Sequence, residues 1–414
     1  MQTFLTAALA SFLVIIGILR GSRWHSHLTA DTQVGVQKFH RGSVPRIGGV
    51  AIAIGLCAAL GWSAWRGLIG AEAMWLLLAA LPAFAASLAE DVTKRVGVLA
   101  RLGATMVAAG LGGWLLGAWL PRLGLGPVDA WLAAWPVLGM GLTLVAVAGV
   151  ANAVNIIDGF NGLAAATTLL MFAALGYVAW AVGDTLLVQV CLAMAGALLG
   201  FLVWNYPRGL IFLGDGGAYL VGFVLAEVAV LLVVRQPQVS PWFGLLVCLY
   251  PVTETVFSIY RRRFIRRISP GVPDGLHLHT LIYRRLVRWA AGHEAARDIT
   301  LRNSATSPYL WGLSTLSIVP AVLFWRHSAR VAAVTPYLRL VDSRSAPRSS
   351  SRTTLALRLT DQRPLPPRSV SGPAPVALRV AEAGPETETF TLDIPHSFYR
   401  KSVSNEIVLR ENLS

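Results

Sequence analysis

Five clusters of polar residues interrupt an otherwise apolar chain, and their side chains are of the types that bind metal ions, phosphates and nucleotides. Carboxylates, amides, histidines and cations are costly to place at the ends of membrane helices, so they usually serve a function there. Together they predict an active site for a charged substrate at a membrane surface. In chain order, the clusters lie at residues 38–49, 90–94, 152–162, 212–217 and 274–279.

Adjacent carboxylates open the second cluster, where Glu90 and Asp91 are followed by Lys94. Paired carboxylates coordinate Mg²⁺ or take up a proton in enzymes, and a lysine beside them suits a phosphate. A solvated loop at the end of a helix explains these residues equally well when they are taken alone. The cluster therefore supplies candidates for metal binding and general-base catalysis and leaves both interpretations open.

Amide and carboxylate side chains recur at every third residue of the third cluster, at Asn152, Asn155, Asp158 and Asn161. Such positions share one face of a helix or tight turn. A face of this kind that borders a polar cleft suits the base and ribose of a nucleotide, and a polar seam between membrane helices is the alternative. We select Asn155, Asp158 and Asn161 as candidate substrate-binding residues.

A glycine-rich turn, Gly214-Asp215-Gly216-Gly217, opens a predicted helix in the fourth cluster. Backbone N–H groups point outward at a helix N-terminus and favour an anion, and Asp215 in that position suits a metal ion that bridges to phosphate. The same residue types also form ordinary turns. Asp215 is therefore a candidate metal ligand and catalytic residue.

Histidine and basic residues dominate the last and first clusters. His277 and His279 lie in an arginine-rich segment that we expect to be a surface loop, and Lys38 and Arg46 precede the second apolar run. Histidine together with arginine suits recognition of a diphosphate, whereas a zinc site lacks cysteines and a nearby third ligand. Anchoring on one side of the membrane explains the arginines better than it explains the histidines.

The elements that must position these clusters are membrane helices. Of the 414 residues, 55% are hydrophobic and 14% are charged, whereas a soluble chain carries about 25% charged residues. A hydrocarbon core about 30 Å thick needs about 20 apolar residues per helix. The sequence therefore predicts an all-α polytopic membrane protein of about ten transmembrane helices, with eleven as the alternative. The ten predicted spans are residues 2–20, 46–64, 73–89, 98–120, 131–151, 160–182, 185–204, 216–234, 240–260 and 308–325.

Lysine and arginine residues are distributed unevenly between the two sides of these spans. The connections after odd-numbered spans, with their helix ends, carry 19 of them, and those after the second, fourth, sixth and eighth spans carry three. Since positive charge marks the cytoplasmic side, all five clusters and the active site are expected there. The membrane also accounts for the net charge of +14, so we expect no nucleic acid as a partner.

The C-terminal part of the chain has a different composition. It is rich in serine, arginine and proline and has few large apolar residues, which is typical of disordered segments. We therefore divide the chain into a multi-span domain, residues 1–327, and a tail, residues 328–414, that is predicted to be disordered.

In their order and spacing, the five clusters resemble the motifs of the polyprenyl-phosphate N-acetylhexosamine-1-phosphate transferase family, in its O-antigen-initiating branch. The resemblance covers about residues 1–327. It implies a multi-pass, Mg²⁺-dependent enzyme of the bacterial inner membrane with a cytoplasmic active site. Such an enzyme transfers an N-acetylhexosamine 1-phosphate from a UDP-sugar to undecaprenyl phosphate and releases UMP. The donor is expected to be UDP-N-acetylglucosamine or a UDP-linked 6-deoxy-N-acetylhexosamine.

The resemblance also implies roles for individual residues. Asp215 and Asp91 would be metal ligands, and Glu90 with Asp91 matches an Asp-Asp pair that binds the metal or serves as base. The resemblance further implies that Asn155 and Asp158 help to shape the nucleotide pocket and that His277 and His279 belong to a sugar-recognising loop. Three positions depart from the family pattern: Glu90 and Asn161 each stand where aspartate is usual, and Thr280 stands where some members have a third histidine.

The expected partners are a UDP-N-acetylhexosamine, undecaprenyl phosphate and membrane lipid, and formation of a homodimer stays open. One alternative function is that of a phospho-N-acetylmuramoyl-pentapeptide transferase. An alternative from another class is a secondary transporter, which would use charges inside its spans. Glu227 and Glu254 are the best residues for that alternative, although we interpret them as packing or groove residues.

Overall fold

The computed structural model describes residues 1–22, 30–31, 44–265, 267, 277–290, 299–328, 377–379 and 389–391. The chain divides into a first unit, Met1–Ser343, and a second unit, Arg344–Ser414. The described part of the second unit consists of two short antiparallel strands, Ala377–Arg379 and Thr389–Thr391. The predicted boundary at residue 327 and the predicted disorder of the tail stay predictions, because most of the tail lies outside the described residues.

Helices form nearly all of the described part of the first unit, together with one short strand pair, Ala30–Asp31 with Val44–Pro45. Nine of the described helices are long and apolar enough to cross a membrane, which confirms the predicted all-α polytopic membrane fold. In chain order, the helices are α1 (Gln2–Arg20), α2 (Gly48–Trp65), α3 (Glu72–Thr93), α4 (Val98–Leu116), α5 (Gly126–Ala134), α6 (Pro136–Ile157), α7 (Leu163–Ala181), α8 (Thr185–Asn205), α9 (Gly214–Arg235), α10 (Trp242–Val247), α11 (Leu249–Tyr260), α12 (Leu278–Ala290) and α13 (Ile299–Phe324).

The ninth predicted span is not one continuous helix in the structure. Helix α10 ends at Val247 and α11 begins at Leu249, so residues 240–260 contain two short helices on either side of Cys248. Pro251 explains the break, since proline has no N–H to donate to the carbonyl four residues earlier. A single π-helical turn, Arg261–Ile265, then continues α11. The spans among the described residues are thus nine long helices and one broken one.

Helix α9 is the centre of the bundle and is the most deeply buried of the nine spans. It packs against α2, α3, α6 and α7. Glycines allow two of these close approaches, because a Cβ on Gly222 would lie 2.6 Å from Cα of Ala151 in α6, and a Cβ on Gly49 would overlap the backbone of Gly217. Small residues at helix crossings are typical of membrane proteins. The contact between Gly49 and Gly217 joins the N-terminal ends of α2 and α9, where two of the polar clusters lie.

Helix α1 shows how the bundle meets lipid. It buries Thr3 and Ser11 while Leu5 and Leu9 are more than half exposed, which reverses the pattern of a helix in water. The hydroxyl of Thr3 reaches Ser63 at 2.9 Å on α2. Polar contacts therefore face the neighbouring helices and large apolar side chains face outward, as expected where the solvent is hydrocarbon.

Candidate active site

The first and fourth clusters are joined by backbone hydrogen bonds. The N–H of Gly48 donates to the carbonyl of Phe212 at 3.0 Å, the N–H of Gly49 donates to Leu213 at 2.9 Å, and the N–H of Phe212 donates to Pro45 at 2.8 Å. Gly214 continues this close approach with a φ of +75°, and a Cβ there would overlap the carbonyl of Arg46. Glycine is needed at this position for its left-handed backbone and for the space.

Asp91 connects the second cluster to the N-terminus of α9. Its side chain is 1% exposed, and its two oxygens accept the N–H groups of Asp215 at 2.9 Å and Gly216 at 2.7 Å. The first N–H groups of a helix have no partner within the helix, and a carboxylate there is also favoured by the helix dipole. Asp91 on α3 therefore caps α9 from the side and fixes the position of Asp215.

Asp215 lies between two arginine side chains. Its carboxylate is 2.5 Å from Nη1 of Arg101 and 3.6 Å from Nη2 of Arg46. Arg101 is 7% exposed and also lies over the ring of Tyr219. The hydroxyl of Tyr219 in turn donates to the side-chain oxygen Oδ1 of Asn152 at 3.1 Å. Arg101 is one of the 19 lysine and arginine residues that predict the cytoplasmic side, and the sequence analysis does not predict it as a site residue. The available signal was a charged residue at the fourth position of an apolar span, which is costly unless it is paired.

Asp158 brings the third cluster to the same place. It follows the last residue of α6, and partial burial raises its pKa to about 7. The negative charges of Asp215 and Asp91 also raise this pKa, whereas Arg46 lowers it. Asp158 is therefore close enough to both carboxylates and to Arg46 to feel their charge. Asn155, in the last turn of α6, is only partly buried.

The charges of this site fit a magnesium ion that is shared with phosphate. The carboxylates Asp91, Asp158 and Asp215 face the two guanidinium groups of Arg46 and Arg101, which leaves a negative charge on oxygen ligands. Among the described residues, no group of three His, Cys, Asp or Glu side chains converges as a metal site. Mg²⁺ is usually held by one or two carboxylates, waters and substrate phosphates. Asp215 fits that role, and each Asp91 oxygen retains one lone pair.

Glu90 and Lys94 close the turn that follows α3. A Glu90 side-chain oxygen accepts the N–H of Val96 at 2.6 Å, and Nζ of Lys94 donates to the backbone carbonyl of Asp91 at 2.6 Å. Lys94 itself ends the helix with a φ of +57°. The structure thus gives both side chains a local contact, and their predicted roles toward proton and phosphate stay predictions.

The histidine pair is not on the surface, which corrects the expected surface loop. His277 and His279 are each 4% exposed. Glu254 on α11 explains this burial, because its carboxylate lies 2.9 Å from Nδ1 of His277 and accepts the N–H of Leu278 at 3.0 Å. This contact docks the first turn of α12 on α11. The sequence alone predicts a packing or groove role for Glu254 and does not reveal its partner His277.

His279 meets the third cluster. Its ring packs edge-on against Phe160 at 5.3 Å, and a Cβ on Gly159 would lie 3.1 Å from its Nε2. Burial lowers the pKa of His279 to about 3 although the carboxylate of Glu254 favours the charged form, so this ring is neutral. The turn of Asp158, Gly159 and Phe160 is therefore near the other two carboxylates and also contacts His279.

Asn161 links helices in this structure. It is 3% exposed, and its amide donates to the carbonyl of Pro207 at 2.9 Å. Its backbone N–H donates to Asn303 at 2.7 Å, and its carbonyl accepts the hydroxyl of Ser307 at 2.6 Å. A contact of Asn161 with substrate stays a prediction. Lys38, the remaining predicted site residue, lies outside the described residues.

Comparison with known proteins agrees with this arrangement. The family model described as glycosyl transferase family 4 matches residues 73–233, which include Asp91, Asp158 and Asp215. The undecaprenyl-phosphate alpha-N-acetylglucosaminyl 1-phosphate transferase of Escherichia coli (strain K12) is 31% identical over 264 residues, 60% of this chain and 67% of the relative. The protein of that name from Salmonella typhi is 28% identical over 344 residues, 77% of this chain and 89% of the relative. A probable undecaprenyl-phosphate N-acetylglucosaminyl 1-phosphate transferase of Bacillus subtilis (strain 168) is 26% identical over 291 residues, 69% of this chain and 77% of the relative.

Proposed function

The chain belongs to the polyprenyl-phosphate N-acetylhexosamine-1-phosphate transferase family, and we propose that it transfers N-acetylglucosamine 1-phosphate from UDP-N-acetylglucosamine to undecaprenyl phosphate. UMP is the other product, and the lipid-linked sugar starts a cell-envelope polysaccharide such as O-antigen. The observation that carries the proposal is the position of Asp215, which is held at the N-terminus of α9 between Arg46 and Arg101. A 6-deoxy-N-acetylhexosamine donor is the second choice, since the similar proteins are named for N-acetylglucosamine.

The site supplies the charges that this transfer needs. A diphosphate must be neutralised and held in line with the attacking phosphate. Arg46 and Arg101 carry fixed positive charge beside Asp215, and a guanidinium group can donate two parallel hydrogen bonds to one phosphate. Bound Mg²⁺, held by Asp215 with Asp91 beside it, would supply further positive charge to the diphosphate and to the departing UMP.

The three aspartates differ in their surroundings, and we assign them different tasks. Asp91 keeps both oxygens on backbone N–H groups, so it holds the helix that carries Asp215. Asp158 has a pKa of about 7 because of partial burial and neighbouring negative charge. A general base works best when its pKa is near the working pH. Asp158 is therefore our choice for the group that takes the remaining proton of the acceptor phosphate, ahead of the sequence candidates Glu90 and Asp91.

Sidedness and the acceptor follow from the arrangement of charge and apolar surface. The excess of lysine and arginine in these connections supports a site on the cytoplasmic side of the inner membrane. The phosphate of the acceptor would lie at the site while its polyprenyl chain stays among the helices, whose outward faces are apolar. The secondary-transporter alternative loses one of its two residues, because Glu254 is paired with His277.

The proposal is tested with purified protein, undecaprenyl phosphate, Mg²⁺ and a panel of UDP-sugars. Release of UMP and formation of a lipid-linked sugar phosphate are measured for each donor. UDP-N-acetylglucosamine is expected to be used best. Preference for UDP-N-acetylmuramoyl-pentapeptide would support the alternative transferase, and the absence of transfer with every donor by folded protein would overturn the proposal.

A further inference from the structure

Three buried side chains form a chain of contacts beside the nucleotide turn. Glu254 lies 2.9 Å from Nδ1 of His277, and Nη2 of Arg262 lies 3.5 Å from the other ring nitrogen, Nε2. None of the three residues is more than 9% exposed. Arg262 belongs to the π-helical turn that follows α11, and such turns are frequent at functional sites.

The donor and acceptor chemistry of these groups fixes the proton on His277. A guanidinium group donates hydrogen bonds and cannot accept them, so Nε2 of His277 must be the acceptor toward Arg262. The ring proton is then on Nδ1, where Glu254 accepts it. A doubly protonated ring would direct an N–H group at the guanidinium group of Arg262, which like charges disfavour. The two contacts together therefore favour a ring with its proton on Nδ1 and a free acceptor at Nε2.

His277 contacts His279, and His279 borders the candidate donor pocket. The rings of His277 and His279 stack with centroids 5.1 Å apart and planes inclined by 14°. His279 in turn packs against Phe160 and close to Gly159, which directly follow Asp158. The oxygens of Glu254 also accept the N–H of Leu278 at 3.0 and 3.2 Å, so the same carboxylate fixes the start of the helix that carries His279.

We infer that Glu254 is a positioning residue, which holds His277 as its neutral Nδ1–H tautomer and thereby fixes the stacked histidine pair against the turn of Asp158, Gly159 and Phe160. The inference rests on the proposed function, in which this turn lines the donor pocket. Glu254 acts through His277 and does not touch the substrate. Its loss should therefore impair use of the UDP-sugar, and the part of that effect that acts through the histidine ring should disappear once His277 is gone.

The first test measures directly which ring nitrogens of His277 are protonated, and it does not require enzyme activity. The protein is labelled with ¹⁵N in its eight histidines, and the His277 signals are assigned by their absence in His277→Ala. The ring-nitrogen shifts of the full chain in lipid at pH 7 are expected to show a neutral ring protonated at Nδ1. A ring protonated at Nε2, or at both nitrogens, would overturn the inference whatever the protein catalyses.

The second test is a double-mutant cycle on donor use. Glu254→Leu should raise KM for UDP-N-acetylglucosamine by about ten- to a hundredfold, the usual effect of losing a charged hydrogen bond, with a smaller change in kcat. Glu254→Gln, whose carbonyl oxygen still accepts both N–H groups, should keep KM within about threefold. In a His277→Ala background, Glu254→Leu should raise KM by a clearly smaller factor, because neighbours that act together are not additive. The effect that remains is that of the lost contact with the N–H of Leu278.

Glu227 provides the matched control. It is also a buried glutamate on a membrane helix, at 0% exposure, and it lies against Gly112 of α4. Glu227→Gln is expected to leave KM for the donor unchanged. Equal effects of Glu254→Leu with and without His277 would show a purely structural role and overturn the inference. If Glu254→Leu does not fold, the wild-type tautomer and the Glu254→Gln kinetics decide. A wild-type protein that transfers nothing would contradict the proposed function alone.

Discussion

Asp91 accepts the backbone N–H of Asp215, so one carboxylate of the site holds the helix that presents the other. The contact spans 124 residues of sequence and joins α3 to α9. A metal-binding role for both carboxylates stays a prediction, and the hydrogen bond gives Asp91 a structural role as well. In this structure Asp91 organises the site, and Asp215 presents its charge to Arg101 and Arg46.

Asp91→Asn should lower both stability and transfer. An amide group can accept one of the two N–H bonds, but its own NH₂ then faces the second N–H of α9, which is left unsatisfied. The expected loss is about 1–3 kcal/mol of unfolding free energy, measured by thermal unfolding in detergent, with transfer reduced in parallel. Glu72→Gln is the control, because Glu72 is an exposed partner of Arg235 and such pairs contribute little. Equal stability of Asp91→Asn and wild type would contradict the capping role.

Arg101 should be required for transfer. Arg101→Gln removes one of the two positive charges beside Asp215, and we expect transfer to fall by at least about a hundredfold, the order seen when one stabilising charge is lost. Arg101→Lys keeps the charge but loses the planar fork, so it should retain intermediate activity. Arg66, an exposed arginine over Trp62, gives the control Arg66→Ala. Near-normal transfer by Arg101→Gln would remove this residue from the site.

Asp158 should make stability depend on pH. Its pKa is about 7 in the folded protein and near 3.8 when unfolded, so the folded state binds the extra proton between these values. Stability of the wild type should therefore fall as pH rises from about 4 to about 7 and then level off. Asp158→Asn lacks this term, so its stability relative to wild type should rise over the same window. Thermal unfolding with EDTA present, so that no metal intervenes, measures the difference. A constant difference across that range would contradict the raised pKa.

Sidedness can be tested by chemical labelling. Single cysteines placed next to Lys94 and Arg208 should react with a membrane-impermeant thiol reagent only from the cytoplasmic side. Cysteines next to Gly124 and Gln236 should react only from the outside, because the connections there carry few positive charges. The background for this experiment replaces Cys57, Cys191 and Cys248, which are free thiols. Labelling next to Lys94 from outside would invert the topology.

The sequence was sufficient for the spans because length and apolar composition decide them. The sequence also contained a signal for the break at Cys248, namely Pro251. The apolar composition of residues 240–260 did not by itself reveal the break. The polar clusters were recognised from residue type, and four of them meet around Asp158 and Asp215. Their contacts could not be predicted, since Asp91 and Asp215 are joined only by the fold.

The histidine pair shows where local reasoning failed. The many arginines around His277 indicated a solvated loop, whereas Glu254, 23 residues earlier, draws the pair into the protein. Arg101 was also missed as a site residue. It was counted only among the positive charges that mark the cytoplasmic side, and the packing of α4 against α9 is what places it beside Asp215.

The central claim is that Asp215, held between Arg46 and Arg101, supports transfer of a sugar phosphate to a polyprenyl phosphate. The most direct measurement compares wild type and Asp215→Asn for UMP release from UDP-N-acetylglucosamine, with and without undecaprenyl phosphate. We expect UMP release by the wild type only when the lipid is present, with a matching lipid-linked product, and at least about a hundredfold less by the folded Asp215→Asn variant. Near-normal, lipid-dependent UMP release by Asp215→Asn, or none by folded wild type, would contradict the account.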